Sequence, residues 1–433
     1  MVDVYGVIGG FALLLVLMAI GIHVAIAIFA IAAIGALVYL GPVMLFSFGN
    51  NLWATLNNFL LTAIPLFILM GELLLRCGVT ERMYSALALW LNRLPGGLLH
   101  TNIGACTVFS AISGSSVATA ATVGTVALPA LEKHQYSQRM ALGSLAAGAT
   151  LGILLPPSIN MIIYGAITNT SIGALFIAGI LPGLALAVAF MLTIFIYALL
   201  RSGKQHGNER ISWSARFGAL LDLLPPTFVF LIVMGSIYSG WATPTEAAAL
   251  GVCAALVLAA YNRKLSLQLL HECFLSTART TAMIMLIIVA AFFLNYIVGV
   301  LGIPTTLSRW VGDLGLTPLG LILALVVFYL VLGCFLETLS MMIATVPVVV
   351  PLVVQFGFDP VWFGIFLVLM MEISLITPPT GMNLFVVQGV RGKGSIIDVM
   401  VGSIPFVLVM LAFVFTIIAW PGLITWLPDL MMK

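Results

Sequence analysis

Four short stretches of this chain carry polar or helix-breaking residues inside otherwise oily sequence, and they come in two matched pairs. Ser113–Thr125 reads SGSSVATAATVGT, and only Val117 and Val123 of these 13 residues are large and apolar. Its hydroxyls, with the carbonyls freed at the Ser-Gly-Ser-Ser turn, can replace the water shell of a small cation; close packing of small-residue helices is the structural alternative. Gly333–Thr345 (GCFLETLSMMIAT) holds the matching place, with Ser115 aligned to Glu337 and Ser116 to Thr338 at an offset of 222 (337 − 115). An ionisable Glu337 in an apolar stretch is costly. It must hold a coupling ion, take part in gating, stay protonated or cap a helix start.

The second pair holds double prolines. Gly148–Tyr164 (GATLGILLPPSINMIIY) and Met371–Phe385 (MEISLITPPTGMNLF) place Pro156-Pro157 and Pro378-Pro379 at that same offset of 222 (378 − 156). A double proline removes two N–H donors and clashes with the preceding turn, so a helix must unwind there. Unwinding leaves carbonyls at one half-helix end, which favour cations, and N–H groups at the other, which favour anions. Ser158, Asn160, Thr377, Thr380 and Asn383 add polar side chains at these breaks. Glu372 is a second interior carboxylate, with Arg391 and Lys393 as candidate partners. One proline kink would suit simple packing; two at equivalent positions, each following a small or polar tip, point to a transporter's substrate site.

The elements that position these segments follow from composition. The chain is 62% hydrophobic and only 7% charged, more apolar surface than a soluble core can use and well suited to a bilayer. The expected fold is an all-α polytopic membrane protein of two inverted-topology repeats. They span 1–200 and 224–433 and are joined by a polar linker at 201–223. Each repeat should contain a re-entrant helical hairpin (about 98–130 and 318–353) and a Pro-broken transmembrane helix (about 138–168 and 360–390). Around them, Gly41–Phe59 reads as an interfacial amphipathic segment, 280–301 as a spanning helix, and 80–93 and 304–311 as short surface helices. Arg201, Lys204, Arg210, Arg216 and the Arg263-Lys264 pair place the linker side in the cytoplasm by the positive-inside rule, with the N-terminus outside. The first segment lacks the basic start and cleavage site of a signal peptide.

Several function classes fall away. A net charge of +2 with no basic stripe gives no basis for a nucleic-acid partner. The five cysteines have no metal-like spacing and read as packing residues, so no cofactor is expected. A membrane serine protease built on Ser113 or Ser115 would need a histidine base within reach. None of His23, His100, His134, His206 and His271 lies in a Ser- or Asp-bearing motif, and no enzyme is expected. A channel also uses re-entrant loops, but duplicated helix breaks favour alternating access.

With these residues on the page, the chain resembles the large membrane subunit of the TRAP (tripartite ATP-independent periplasmic) transporters, DctM-like, over essentially its whole length. The resemblance rests on GSSVATAATVG (114–124), LGILLPPSINMIIYG (151–165), ATPTEAAALG (242–251) and ITPPTGMNLFVV (376–387). Glu337 departs from it, standing where aspartate is more usual. The resemblance implies an elevator-type, sodium-coupled importer of a small organic acid in the bacterial inner membrane. Its implied partners are a small four-helix membrane subunit and a periplasmic binding protein. It implies sodium sites where each hairpin tip meets its break, at Ser113, Gly114, Ser115, Ser116, Gly152 and Pro156, and at Gly333, Glu337, Thr338, Thr377, Pro378 and Gly381. The substrate is expected between the tips, at Ser116, Thr119, Ser158, Asn160, Ser340, Thr380 and Asn383. Proton coupling through Glu337 and Glu372 is the alternative reading.

Overall fold

The computed structural model describes residues 4–200, 213–379 and 381–431, and the regular structure among them is helical. Thr380 and the linker cations Arg201, Lys204 and Arg210 lie outside the described residues. The chain opens with α1 (Val4–Ala19) and α2 (Val24–Tyr39), and a 3-10 turn leads into the short α3 (Ser47–Leu56). One face of α3 presents Phe48 to Phe29 and Phe293, while Trp53 points outward. Next come α4 (Ala63–Arg76) and α5 (Val79–Leu91).

A five-helix run follows: α6 (Leu98–Ser113), α7 (Ser116–Lys133), α8 (Gln138–Thr150), α9 (Ile159–Thr168) and α10 (Ile172–Leu200). Beyond the linker lie α11 (Trp213–Leu220), α12 (Leu224–Tyr238), α13 (Pro244–Tyr261), α14 (Leu267–Val300) and α15 (Ile303–Asp313). A second five-helix run then comprises α16 (Pro318–Gly333), α17 (Thr338–Gln355), α18 (Pro360–Ile376), α19 (Met382–Arg391) and α20 (Ile396–Ala419). The helix α21 (Gly422–Met431) closes the described chain.

The element order recurs. α7 and α17 are each 18 residues long and start 222 apart (338 − 116). α9 and α19 are each 10 residues long and start 223 apart (382 − 159). α5 and α15 both begin after a glycine with left-handed backbone, Gly78 at φ +77° and Gly302 at φ +66°, a conformation that costs any other residue more. The two halves differ ahead of α4. Asn57 and Asn58 separate α3 from α4, and Asn58 Oδ1 accepts from the Leu60 N–H at 3.0 Å, a local bond that competes with helix. The second half has no such pair, so α14 runs unbroken for 34 residues and starts well before the helix expected at 280–301.

Among the described residues, seven helices are long and apolar enough to cross a membrane. A span needs about 20 residues, and α8, α9 and α19, at 13, 10 and 10 residues, fall well short alone. α8 and α9, and likewise α18 and α19, are separated at the double prolines, as the sequence predicts for helices broken there.

Packing crosses between the halves reciprocally: α19 lies on α7 and α9 on α17, while α20 lies on α8 and α10 on α18. The α8–α20 contact is backbone against backbone. A Cβ on Gly143 would run into the Gly402 carbonyl, and one on Gly402 into the Arg139 carbonyl. At the exposed edge of this contact Arg139 pairs with Asp398 at 3.1 Å and Lys393 with Glu132 at 3.0 Å, bonds worth at most about 1 kcal/mol each in solvent. The glycines therefore set the contact. Gly143→Ala should destabilise the protein by about 1–3 kcal/mol, the usual cost of overpacking, because the obstacle is main chain and cannot swing aside. A thermal melt checks this against Gly235→Ala, where the new methyl meets nothing within 4 Å and no loss is expected.

Candidate functional site

The first hairpin turns within two residues. α6 ends at Ser113, Gly114 takes the left-handed turn at φ +60°, and Ser115 caps α7 by accepting the Ala118 N–H at 3.4 Å. Ser113 Oγ lies 3.0 Å from Thr119 Oγ1, which donates to the Ser115 carbonyl at 2.7 Å. This tip rests on the unwound loop of its own half. A Cβ on Gly114 would come within 2.6 Å of the Pro157 carbonyl oxygen, and one on Gly152 within 2.8 Å of the Ser115 carbonyl. Hydroxyls and main-chain carbonyls thus line this contact, and oxygen donors of this kind are what a small hard cation takes. Pro156 lies buried in the same loop, and the Pro156-Pro157 bond is cis.

The break itself is well satisfied on one side. Ser158 caps α9, donating its hydroxyl to the Ile153 carbonyl at 2.6 Å and accepting the Met161 N–H at 3.5 Å, so both of its hydrogen-bonding roles are filled by the protein. Asn160, two residues on, is 4% exposed, and its side-chain amide nitrogen has no partner among the described residues.

The second hairpin turns more loosely, through Cys334–Glu337. Glu337 caps α17: its carboxylate accepts from the Ser340 N–H at 3.3 Å, the Ser340 hydroxyl at 3.2 Å and the Thr338 hydroxyl at 3.3 Å. Of the roles open to Glu337 from sequence, the helix cap is the one its contacts display. Here too the tip rests on its own break. A Cβ on Gly333 would meet the Ser374 Cβ at 2.5 Å, and Cys334 Sγ lies 3.7 Å from the Pro378 carbonyl. Thr377 donates to the Ile373 carbonyl at 2.7 Å, while a Cβ on Gly381 would sit 2.9 Å and 3.0 Å from the Leu375 and Thr377 carbonyls.

Between the halves, Asn383 Nδ2 donates to Ser116 Oγ at 2.6 Å and to the Ala146 carbonyl at 3.2 Å. The fold therefore gathers Ser113, Gly114, Ser115 and Thr119 against Gly152, and sets Gly333 and Cys334 against Ser374 and Pro378, with Ser116 and Asn383 as the bridge between the halves; Glu337, Thr338 and Ser340 bond to one another at the second tip. Thr380, expected beside Asn383, lies outside the described residues.

The pairing expected for Glu372 is overturned. Arg391, its side chain largely buried at the end of α19, is taken by Asp398 at 3.6 Å and Gln138 at 2.8 Å, and the exposed Lys393 just beyond α19 by Glu132. Glu372 sits inside α18, fully buried, and neither carboxylate oxygen has a partner among the described residues.

Two contributors escaped the sequence reading. Ser374 aligns with Gly152 at the offset of 222 (374 − 152), and both touch their own hairpin tip, so the repeat itself carried that signal. Gly71 on α4 lets the first tip approach, its Cβ position lying 3.4 Å from the Ser113 carbonyl, and nothing in its surroundings in sequence marks it. Tyr136 in the α7–α8 turn accepts the Leu98 N–H at 3.2 Å and steadies the hairpin base; burial pushes its phenol above the ordinary range.

Paired hairpins resting on paired broken spans define a class of multi-pass membrane permease. Residues 11–423 match the family model "Tripartite ATP-independent periplasmic transporter, DctM component", and the chain belongs to that family. It is 35% identical, over 88% of its length and 89% of the relative's, to the C4-dicarboxylate TRAP transporter large permease protein DctM of Pseudomonas aeruginosa. It is 36% identical, over 81% of its length and 79% of the relative's, to the sialic acid TRAP transporter large permease protein SiaM of Vibrio cholerae. Its fold is like that of the Alcanivorax borkumensis YdaH transporter, with a TM-score of 0.64 at 16% identity over 89% of this chain and 90% of that one. The chain is thus a large TRAP permease, a multi-pass protein of the bacterial inner membrane.

Gly152→Ala should separate the first tip from its break, since the added methyl meets main chain at 2.8 Å. The expected result is a loss of about 1–3 kcal/mol in stability together with loss of transport, read by a thermal melt and an uptake assay on one preparation.

Proposed function

We propose that this chain is the transporting subunit of a sodium-coupled importer for a small organic anion, working with a small four-helix membrane subunit and a periplasmic binding protein. The observation that carries this reading is the contact of each hairpin tip with the unwound loop of its own half. There Gly114 lies against the Pro157 carbonyl and Gly152 against the Ser115 carbonyl, while Gly381 lies beside the Leu375 and Thr377 carbonyls, and no Arg or Lys falls in these segments. Sodium at each place takes these carbonyls and the neighbouring hydroxyls as ligands. The anion sits between the tips, facing half-helix N-termini; no Arg or Lys lies in the four site segments, so dipoles and side-chain donors do this work. The two relatives described above are named for a C4-dicarboxylate and for sialic acid, and both cargoes carry a carboxylate.

The motion is of the elevator kind, both hairpins and both broken helices moving together against the remaining spans, and the reciprocal packing of the two repeats supports an inverted two-fold relation between them. An apolar cleft of about 730 Å³ divides α1, α2 and α14 from α16 and α17, with Leu14, Ile34 and Ile297 facing Phe328, Val348 and Leu352. A seam without hydrogen bonds to break suits sliding. Proton coupling is the second reading, favoured by one observation: the buried, unpartnered carboxylate of Glu372.

Thermal stability of the purified membrane complex, with sodium exchanged for potassium, separates the two. A ligand at a hundred times its Kd stabilises by about 2.7 kcal/mol. A sodium-specific rise in melting temperature is expected, reduced in Ser115→Ala and Thr338→Ala. A pH-dependent shift lost in Glu372→Gln, with no sodium effect, would instead establish proton coupling.

A further inference from the structure

The apolar cleft between the flanking helices and the second hairpin is bordered by α15, and that border carries charge. α15 packs on α1, α14 and α17. Ile303, Leu307, Trp310 and Leu314, spaced as one helical face, line the cleft. α14 begins just after the Arg263-Lys264 pair and runs 34 residues to Val300. By the positive-inside rule its far end, α15 and the cleft lie on the periplasmic side. Trp310 and Tyr39 both line the cleft and are 42% and 48% exposed, as aromatic side chains are at the headgroup level of a bilayer, so the cleft opens there. Arg309 and Asp313 stand one turn apart on α15, both exposed, and neither side chain has a hydrogen bond or ion pair among the described residues.

At about 730 Å³ the cleft is too large to stand empty, since its walls would forfeit their dispersion contacts. It is also too apolar to hold water, which needs about two to four polar partners. Thr345, the hydroxyl-bearing residue of its α17 wall, is already spent: it donates to the Met341 carbonyl at 2.8 Å and lies 3.0 Å from the Tyr329 hydroxyl. A hydrocarbon chain from the surrounding bilayer meets both demands. Charge decides the kind of lipid. Arg309 offers a guanidinium to a phosphate, and Asp313, one turn on, a carboxylate to an amine, which are the two charges of a zwitterionic aminophospholipid. We infer that one aminophospholipid of the periplasmic leaflet seats an acyl chain in this cleft, with its phosphate on Arg309 and its amine towards Asp313. The chain lies between α1, α2 and α14 on one side and α16 and α17 on the other, and so fills the seam along which the proposed motion slides. The binding itself does not depend on the transport reading.

The test uses the intact membrane complex, stripped of lipid in detergent, and thermal melts with dioleoylphosphatidylethanolamine or dioleoylphosphatidylglycerol added to the micelles. Wild type is expected to melt higher with phosphatidylethanolamine, and less so with phosphatidylglycerol, which lacks the amine. Arg309→Gln should need roughly fivefold more phosphatidylethanolamine for the same rise, the value of one cation at a lipid surface. Gly10 lines the cleft and a Cβ there meets nothing within 4 Å, so Gly10→Leu puts a side chain into the cleft without a clash. Without lipid it should melt at or above the wild-type temperature, and it should lose the lipid response. No rise in wild type would overturn the inference, as would unchanged responses in both variants, or a rise with phosphatidylglycerol equal to that with phosphatidylethanolamine. So would a cross-link from Gly10→Cys to the small membrane subunit, which would put a protein helix in the cleft. If Gly10→Leu does not fold, Arg309→Gln and the headgroup comparison decide alone.

Discussion

A main chain that unwinds inside a bilayer must find partners for every group it frees, because lipid offers none. That constraint organises the centre of this permease. Two double prolines force unwinding at Pro156-Pro157 and Pro378-Pro379, and each loop is met by a hairpin tip from its own half. The meeting needs residues without bulk. Gly152 admits the Ser115 carbonyl, Gly114 the Pro157 carbonyl and Gly333 the side of Ser374. What looks in the sequence like a run of weak helix formers is the condition for bringing carbonyls together at depth. On the proposed reading, a cation takes these oxygens as its ligands.

Duplication supplies the second tip, but divergence has given it a different internal economy. The first tip turns in two residues and ties its hydroxyls to one another and to its own carbonyl. The second is longer and ties its hydroxyls to a carboxylate. Glu337 thus acts on α17 as a strong cap, and the charge brings the Thr338 and Ser340 hydroxyls to itself. Once those hydroxyls face Glu337 they no longer face the other half. The asymmetry of the site follows from one side chain being longer and charged.

Much of this was legible in the sequence, for a physical reason: prolines, glycines and polar groups are expensive in apolar helices, so their positions carry information that leucines do not. The 222-residue offset located both tips and both breaks, and the unwound loops fall at the prolines that demanded them. The sequence was least informative about long-range partners. Arg391 and Lys393 were the nearest cations to Glu372 along the chain, yet α19 carries them away from it, to Asp398 and Glu132. The reach of α14 was hidden as well, because Asn57 and Asn58 break the first copy at a point where the second has nothing comparable. Gly71 gave no signal, since its partner is a carbonyl in another helix and backbone atoms leave no trace in a residue alphabet.

The distribution of tight and loose contacts also says where motion can occur. Within the pair of five-helix runs, α8 and α20 touch through glycine backbones, Asn383 bridges to α7, and Tyr164 of α9 donates to the Pro360 carbonyl at the start of α18 at 2.7 Å. Among the flanking helices, Arg76 of α4 pairs with Glu272 of α14 at 2.6 Å, and Glu72 accepts from Ser276 at 2.8 Å. Each group is internally cross-bonded, whereas the cleft between α1, α2 and α14 on one side and α16 and α17 on the other is lined by hydrocarbon. Sliding along that seam exchanges one apolar neighbour for another, whereas parting the tips from their breaks would undo the close glycine–carbonyl packing that joins them. Alternating access on the proposed reading therefore requires the tips, breaks and bound anion to travel together, with the Asn383–Ser116 strut intact throughout. The sites would then be assembled once, in the fold, and carried across whole.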